Sequence, residues 1–113
     1  MLTIEKLKEF GANTDDALER CMNNEQFYIM LVEKALNDDS LERLDLALKN
    51  NNLDEGFEIA HSLKGVLGNL SLTPLYDIMV EITELLRSRT QMDYSPYMEK
   101  AISIKNSLVE LSK

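Results

Sequence analysis

Apolar residues recur along this chain at intervals of three and four, and no segment alternates as a half-buried strand would. From Glu25 to Asn37, Phe27, Met30, Leu31 and Ala35 fall on one stripe of a helix, and Ile29, Val32 and Leu36 on a neighbouring one. An arc that wide predicts a helix buried on two sides. Asp38-Asp39-Ser40 then opens a helix with apolar positions Leu41, Leu44, Ala47 and Leu48. Asn50-Asn51-Asn52 ends it, because asparagine tolerates left-handed and turn geometry. Asn52 and Glu55 have the spacing of a capping box for a helix from Leu53 to about Leu70. Thr73-Pro74 and Ser95-Pro96 each place an N-cap hydroxyl before a proline at the first helical position, where its missing N–H costs nothing. The first of these helices carries Leu75, Ile78, Met79, Ile82, Leu85 and Leu86 on one face, and it closes at Arg87-Ser88-Arg89, whose charge suits a helix C-terminus. The second carries Tyr97, Ala101, Ile104, Leu108 and Leu111. Upstream, Gly11-Ala12-Asn13-Thr14 divides two shorter helices, with Thr14 as N-cap of the second and Asp15 and Asp16 at its positive end. The expected fold is all-α, an antiparallel four-helix bundle with short additional helices at the N-terminal end.

A length of 113 residues fits one domain, 1–113, and two prolines with four glycines leave few breaks for a sheet that needs many turns. The formal charge of -8 excludes nucleic acid and anionic membrane as partners, so any anion site must be local. No apolar run is long enough to span a bilayer, and Met1 to Lys6 lacks the regions of a signal peptide, which together predict a cytoplasmic protein. Cys21 is the only cysteine and reads as a small buried hydrophobe. The methionines at 22, 30, 79, 92 and 98 read as core or gap filling. Asp15, Asp16, Asp38, Asp39, Asp54 and Glu55 sit at helix starts without the spacing of a Ca²⁺ loop, so no metal site is expected.

The helix from Leu53 holds the only histidine, His61, and it departs from structural preference at Gly65 and Gly68. Each interior glycine costs roughly 1 kcal/mol relative to alanine. At about 100° per residue, Lys64, Gly65 and Gly68 all lie within roughly 60° of the direction of His61. Ile59, Leu63, Val66 and Leu70 form a different stripe at core spacing. A buried apolar side therefore opposes a lane where a histidine and a lysine stand beside a strip without side chains, with Phe57 bordering it one turn earlier. That lane suits phosphoryl transfer between proteins. Imidazole is a competent nucleophile near neutral pH, a cation one turn away offsets the charge spread over the transferring oxygens, and missing side chains let another protein approach.

At His61-Ser62-Leu63-Lys64-Gly65 and then Gly68 the chain resembles the histidine-containing phosphotransfer (HPt) family, whose hallmark is His-x-x-Lys-Gly on a helix with a small residue further along. The order of short N-terminal helices, then a bundle with the motif in its middle, extends the resemblance over nearly the whole chain. It implies that His61 is phosphorylated on Nε2, that Lys64 interacts with the phosphoryl group, and that Gly65 and Gly68 give a docking partner access. It also implies a phosphoryl carrier without kinase or ATPase activity. Its partners would be the aspartates of response-regulator receiver domains, with a hybrid sensor kinase as a further partner. The receiver would supply Mg²⁺ and the acidic pocket, and this chain no cofactor. A monomer is expected, because one continuous core has no need of a second chain. Where many relatives have a glycine just after the Asn69 position, this chain has Leu70-Ser71-Leu72, which bears on how the helix ends.

Two other readings remain open. An acidic helical interaction module would bind its partner without being phosphorylated, and His61→Gln would leave its function intact. A hydrolase with His61 as general base lacks an assignable nucleophile, orienting carboxylate or oxyanion feature.

Overall fold

The computed structural model describes residues 1–113 as seven helices without a strand. These are α1 (Ile4–Phe10), α2 (Thr14–Arg20), α3 (Glu25–Leu36), α4 (Ser40–Lys49), α5 (Leu53–Asn69), α6 (Thr73–Arg87) and α7 (Ser95–Ser112). Helices α4 to α7 form the bundle. The antiparallel pairing of α5 and α6 shows in two contacts: Gly68, near the end of α5, faces Tyr76 near the start of α6, while Phe57 near the start of α5 lies under Arg87 at the end of α6. Helix α7 closes the ring onto α4, where Lys105 Nζ lies 3.0 Å from Glu42 Oε1 and 3.3 Å from the Asp38 carbonyl. Helix α1 packs on α7, and α2 joins α1 to α3. One core of 25 buried hydrophobic residues runs from Leu2 to Leu108.

Chain-reversal chemistry follows the asparagines. Asn13, Asn24 and Asn52 each accept a hydrogen bond from the backbone three residues on, at 3.2, 3.0 and 3.2 Å, so each satisfies one otherwise unpaired amide of a helix start. Asn51 takes φ 55°, in the left-handed region that asparagine tolerates better than most side chains. The hydroxyl caps expected from the sequence are displaced by one residue. Asn13, not Thr14, caps α2, and Thr14 is buried. Leu72 and Tyr94, not Thr73 and Ser95, flank α6 and α7 without side-chain caps. Thr73 Oγ1 instead donates to the Ser71 carbonyl. In both helices the proline follows at the second helical position, where its missing N–H still belongs to the unpaired first turn.

Three expectations about burial are corrected. Helix α3 is covered over less of its arc than expected: Tyr28 and Val32 are buried and Ile29, Leu31, Ala35 and Leu36 pack partly buried against the core, while Phe27 and Met30 are 44% and 54% exposed. Aromatic Tyr28 reaches the core because its hydroxyl donates to the Leu70 carbonyl at 2.8 Å, and burial pushes its phenol pKa up to about 12. Of the methionines, only Met79 and Met98 are buried, whereas Met22, Met30 and Met92 are exposed. On α5 the buried face is Leu53, Gly56, Ile59, Ala60 and Leu67, and Val66 is 42% exposed because it lies past the edge of that face. Cys21 is buried. No helix is long and apolar enough to cross a membrane.

Candidate functional site

Helix α5 is held firmly at both ends. At its start Asn52 Oδ1 accepts from the Glu55 amide, and Asn52 Nδ2 donates to Glu55 Oε2 at 2.9 Å. This is a capping box whose return bond goes to the cap's side-chain amide rather than to its backbone N–H. At its end Ser71 takes φ 53°, the left-handed conformation that favours glycine. The Ser71 side chain is buried in a small network there. Arg20 of α2 donates to the Asn69 carbonyl at 3.0 Å, the Gly68 carbonyl at 3.1 Å and Ser71 Oγ at 2.5 Å, and pairs with Asp16 at 2.9 Å. The guanidinium thus satisfies the Asn69 carbonyl, one of those a helix C-terminus leaves open, and adds a second donor to the Gly68 carbonyl, which also accepts from the Ser71 amide, at the end where the dipole favours a cation. Hydrogen bonds from Arg20 and Ser71 hold the Asp16 carboxyl below its usual range.

Between these ends the lane runs along the surface. His61 and Gly65 are exposed, and Lys64 and Gly68 are half-buried. A Cβ placed on Gly65 would meet nothing within 4 Å, so this part of the helix is open backbone. One placed on Gly68 would lie 3.0 Å from Tyr76 Cε1, so Gly68 allows α6 to pack closely. Lys64 enters no ion pair.

The Phe57 ring stacks on the His61 imidazole, with centroids 5.6 Å apart and planes at 26°. Two guanidinium groups from the end of α6 lie over the same phenyl ring, Arg87 Cζ at 5.2 Å and Arg89 Cζ at 4.8 Å from its centroid. The two arginines are held differently. Arg89 Nε bonds Asp54 Oδ1 at 2.6 Å and its Nη1 donates to the Leu86 carbonyl at 2.8 Å. Arg87 has only a long 3.4 Å contact with Glu84 Oε1, and both of those side chains are about half exposed. The sequence reading gave Arg87 and Arg89 no role beyond ending α6. The signal that could have found them is the short connection between α5 and α6, which obliges the last turn of α6 to lie beside the first turns of α5.

No group of three or more His, Cys, Asp or Glu side chains is arranged to hold a metal ion. The largest groove, about 870 Å³, lies on the other flank of α5 against α3, lined by Leu31, Lys34, Val66 and Leu70 among others, and His61 is not part of it. What the lane offers chemically is an imidazole on a convex ridge beside a cation. It is suited to entering another protein's active site rather than enclosing a small substrate.

Comparison with known proteins adds one positive finding. Residues 30–113 match the Hpt domain, a stretch that starts inside α3 and leaves α1 and α2 outside, so it is shorter than the near-complete coverage the sequence arrangement implied. No curated protein and no solved structure gives a match. A family match over well more than half the chain, on an all-helical bundle, establishes that this protein belongs to the Hpt domain family, the phosphotransfer modules of two-component signalling.

Proposed function

We propose that His61 is the phosphoryl-accepting side chain, taking the group from a receiver-domain aspartate and passing it to another receiver. The observation that carries this reading is the exposure of His61 beside Gly65, whose missing side chain leaves space with no atom within 4 Å. In the transfer, the Nε2 lone pair of neutral His61 attacks phosphorus. The N–P bond forms as the P–O bond to the aspartate breaks, the bonding electrons leave with the aspartate carboxylate, and the imidazole proton stays on Nδ1. Lys64 offsets charge on the phosphoryl oxygens and Gly65 keeps the approach low, while Gly68, expected to share that role, faces Tyr76 of α6 instead. Phe57 holds the imidazole from one side. The receiver contributes Mg²⁺ and its acidic pocket, so the reading asks for no kinase or ATPase chemistry from this chain. The whole of 1–113 acts as one domain, because α1 and α2 share the core of the bundle, and our reading takes that domain to be a cytoplasmic monomer.

Incubation with a phosphorylated receiver domain tests this, read by intact mass and by an acid-labile, alkali-stable label. Wild type should gain one phosphoryl group and His61→Gln none. An unmodified wild-type mass with an active donor would overturn the proposal, and a label persisting in His61→Gln would place the acceptor elsewhere. Lys64→Ala should slow transfer about tenfold while receiver affinity changes less than about threefold, as expected for one cation acting on phosphoryl oxygens near a surface.

A further inference from the structure

The His61 imidazole stands on the exposed side of α5, where neither an ion pair nor a side-chain hydrogen bond fixes it. The one ring stacked on it is Phe57, with centroids 5.6 Å apart and planes at 26°, within the range that offset aromatic pairs favour. Helical geometry produces the pair. Cα–Cβ bonds tilt toward the helix N-terminus, so His61 leans over the preceding turn, where residue 57 is its neighbour four positions back. The phenyl ring is itself held. It is half-buried against the core, and the guanidinium of Arg89, tied to Asp54 and to the Leu86 carbonyl, lies over it. The sequence placed Phe57 at the border of the lane as a docking residue, yet much of its ring is occupied by contacts inside the molecule.

We infer that Phe57 is a positioning residue of the phosphoryl-transfer site, which orients the nucleophile by holding the plane of the His61 ring. The inference rests on the assignment of His61 as acceptor. The Nε2 lone pair lies in the imidazole plane. Whatever fixes that plane therefore fixes the line along which the N–P bond forms while the P–O bond to the aspartate breaks opposite it, its electrons leaving on the carboxylate. An unsupported histidine on a helix has about two accessible χ1 wells and a broad χ2 torsion. The stack retains one of those wells and narrows the torsion, so the partner need not impose that order when it docks. The ring plane is the same before and after the phosphoryl group arrives, and the support serves both directions of transfer alike.

The test compares wild type with Phe57→Tyr, which keeps a ring, and with Phe57→Leu and Phe57→Met, which keep apolar volume without one. Thermal melting checks folding, and NMR reads the ring-current shifts of the His61 carbon-bound ring protons. Saturating rate and half-saturation are measured for transfer from a phosphorylated receiver domain and, separately, from the phosphoprotein back to a receiver. The imidazole protons of wild type and Phe57→Tyr should be displaced by the neighbouring ring, and those of the two ring-free variants should return toward the values of an unstacked histidine. Loss of the ring should lower the saturating rate about three- to fivefold, the scale of a side chain spread over several rotamers, equally in both directions and with half-saturation changed less than about twofold. Phe57→Tyr should stay near wild type. Ring-free variants that match the saturating rates of a labelled wild type would overturn the inference and leave His61 as acceptor. An imidazole spectrum unchanged by loss of the ring would overturn it as well, because no stack would then exist in solution. A loss confined to half-saturation would return Phe57 to the docking surface, and a loss in one direction only would make it a partner of one phosphorylation state; either result overturns the positioning role. A wild type that takes no label from an active donor would overturn this inference together with the assignment of His61.

Discussion

A Cβ added to Gly65 would meet no atom within 4 Å, whereas one added to Gly68, a turn further along the same stripe of α5, would press on the Tyr76 ring at 3.0 Å. The third glycine of the helix, Gly56, is buried on the opposite face with its missing side chain 3.0 Å from Leu48 Cδ2. Gly56 and Gly68 let neighbouring helices approach, and those contacts repay the helix propensity that glycine forgoes. Gly65 has no such compensation inside the molecule, so a requirement outside it has to explain why a better helix former is absent. Glycine spacing alone cannot separate these cases; the neighbouring helix decides which is which.

The largest expected effect follows from that contrast. Gly65→Leu should keep the fold and raise its stability by up to about 1 kcal/mol, since leucine is the better helix former and the position is open. Phosphoryl transfer from a receiver domain should fall about a hundredfold, the scale of holding reacting groups an ångström or so out of place. Urea denaturation and transfer rate, measured on one preparation, check both halves. Transfer at the wild-type rate would show that the partner does not close over Gly65, and the comparison with Gly68 would lose its functional side.

Gly68→Ala should do the reverse, costing stability and leaving transfer within a few-fold. Displacing the half-buried Tyr76 ring costs roughly 1–3 kcal/mol as overpacking, and the gain in helix propensity returns roughly 1 kcal/mol, so a net loss of about 1 kcal/mol is expected. The same substitution in a Tyr76→Ala background should become stabilising, because the opposing ring is gone. A double-mutant cycle by urea denaturation measures this coupling directly. A cost that persists without Tyr76 would mean that Gly68 is retained for some reason other than this contact.

The helix order and nearly every boundary were legible in the sequence, because the three-and-four periodicity of α4, α6 and α7 reports core contacts made along a single helix. Where periodicity ran through short or weakly packed segments it overstated burial, as in α3, whose apolar arc is wider than the surface available to cover it. Hydroxyls read as caps lay one residue too far along, since Thr14, Thr73 and Ser95 already have helical geometry. At the candidate site, the shared stripe of His61, Lys64, Gly65 and Gly68 could be computed from helical angles. The cations over Phe57 and the Arg20 clamp could not, because each comes from another helix and depends on how two helices meet.

The smallest expected effect concerns the locked end of α5, the counterpart of its open middle. Ser71→Gly relieves a left-handed conformation that costs a non-glycine residue about 1 kcal/mol, but it removes a hydroxyl that accepts from Arg20 and donates to Asp16. Glycine also frees the unfolded chain, so the terms nearly cancel and stability at pH 7 should move by no more than about 0.5 kcal/mol. The dependence on acid separates the parts. Asp16 is held below the usual carboxylate range, first by the Arg20 hydrogen bond and then by Ser71. Its contribution to stability is therefore present above the pKa of the unfolded carboxyl and lost as pH falls through the lower folded one. Urea midpoints at pH 7 and pH 3 should show this acid-dependent contribution reduced in Ser71→Gly, where Arg20 remains, and largely removed in Arg20→Ala. If Ser71→Gly loses as much as Arg20→Ala at pH 7, the hydroxyl rather than the guanidinium fastens the end of α5.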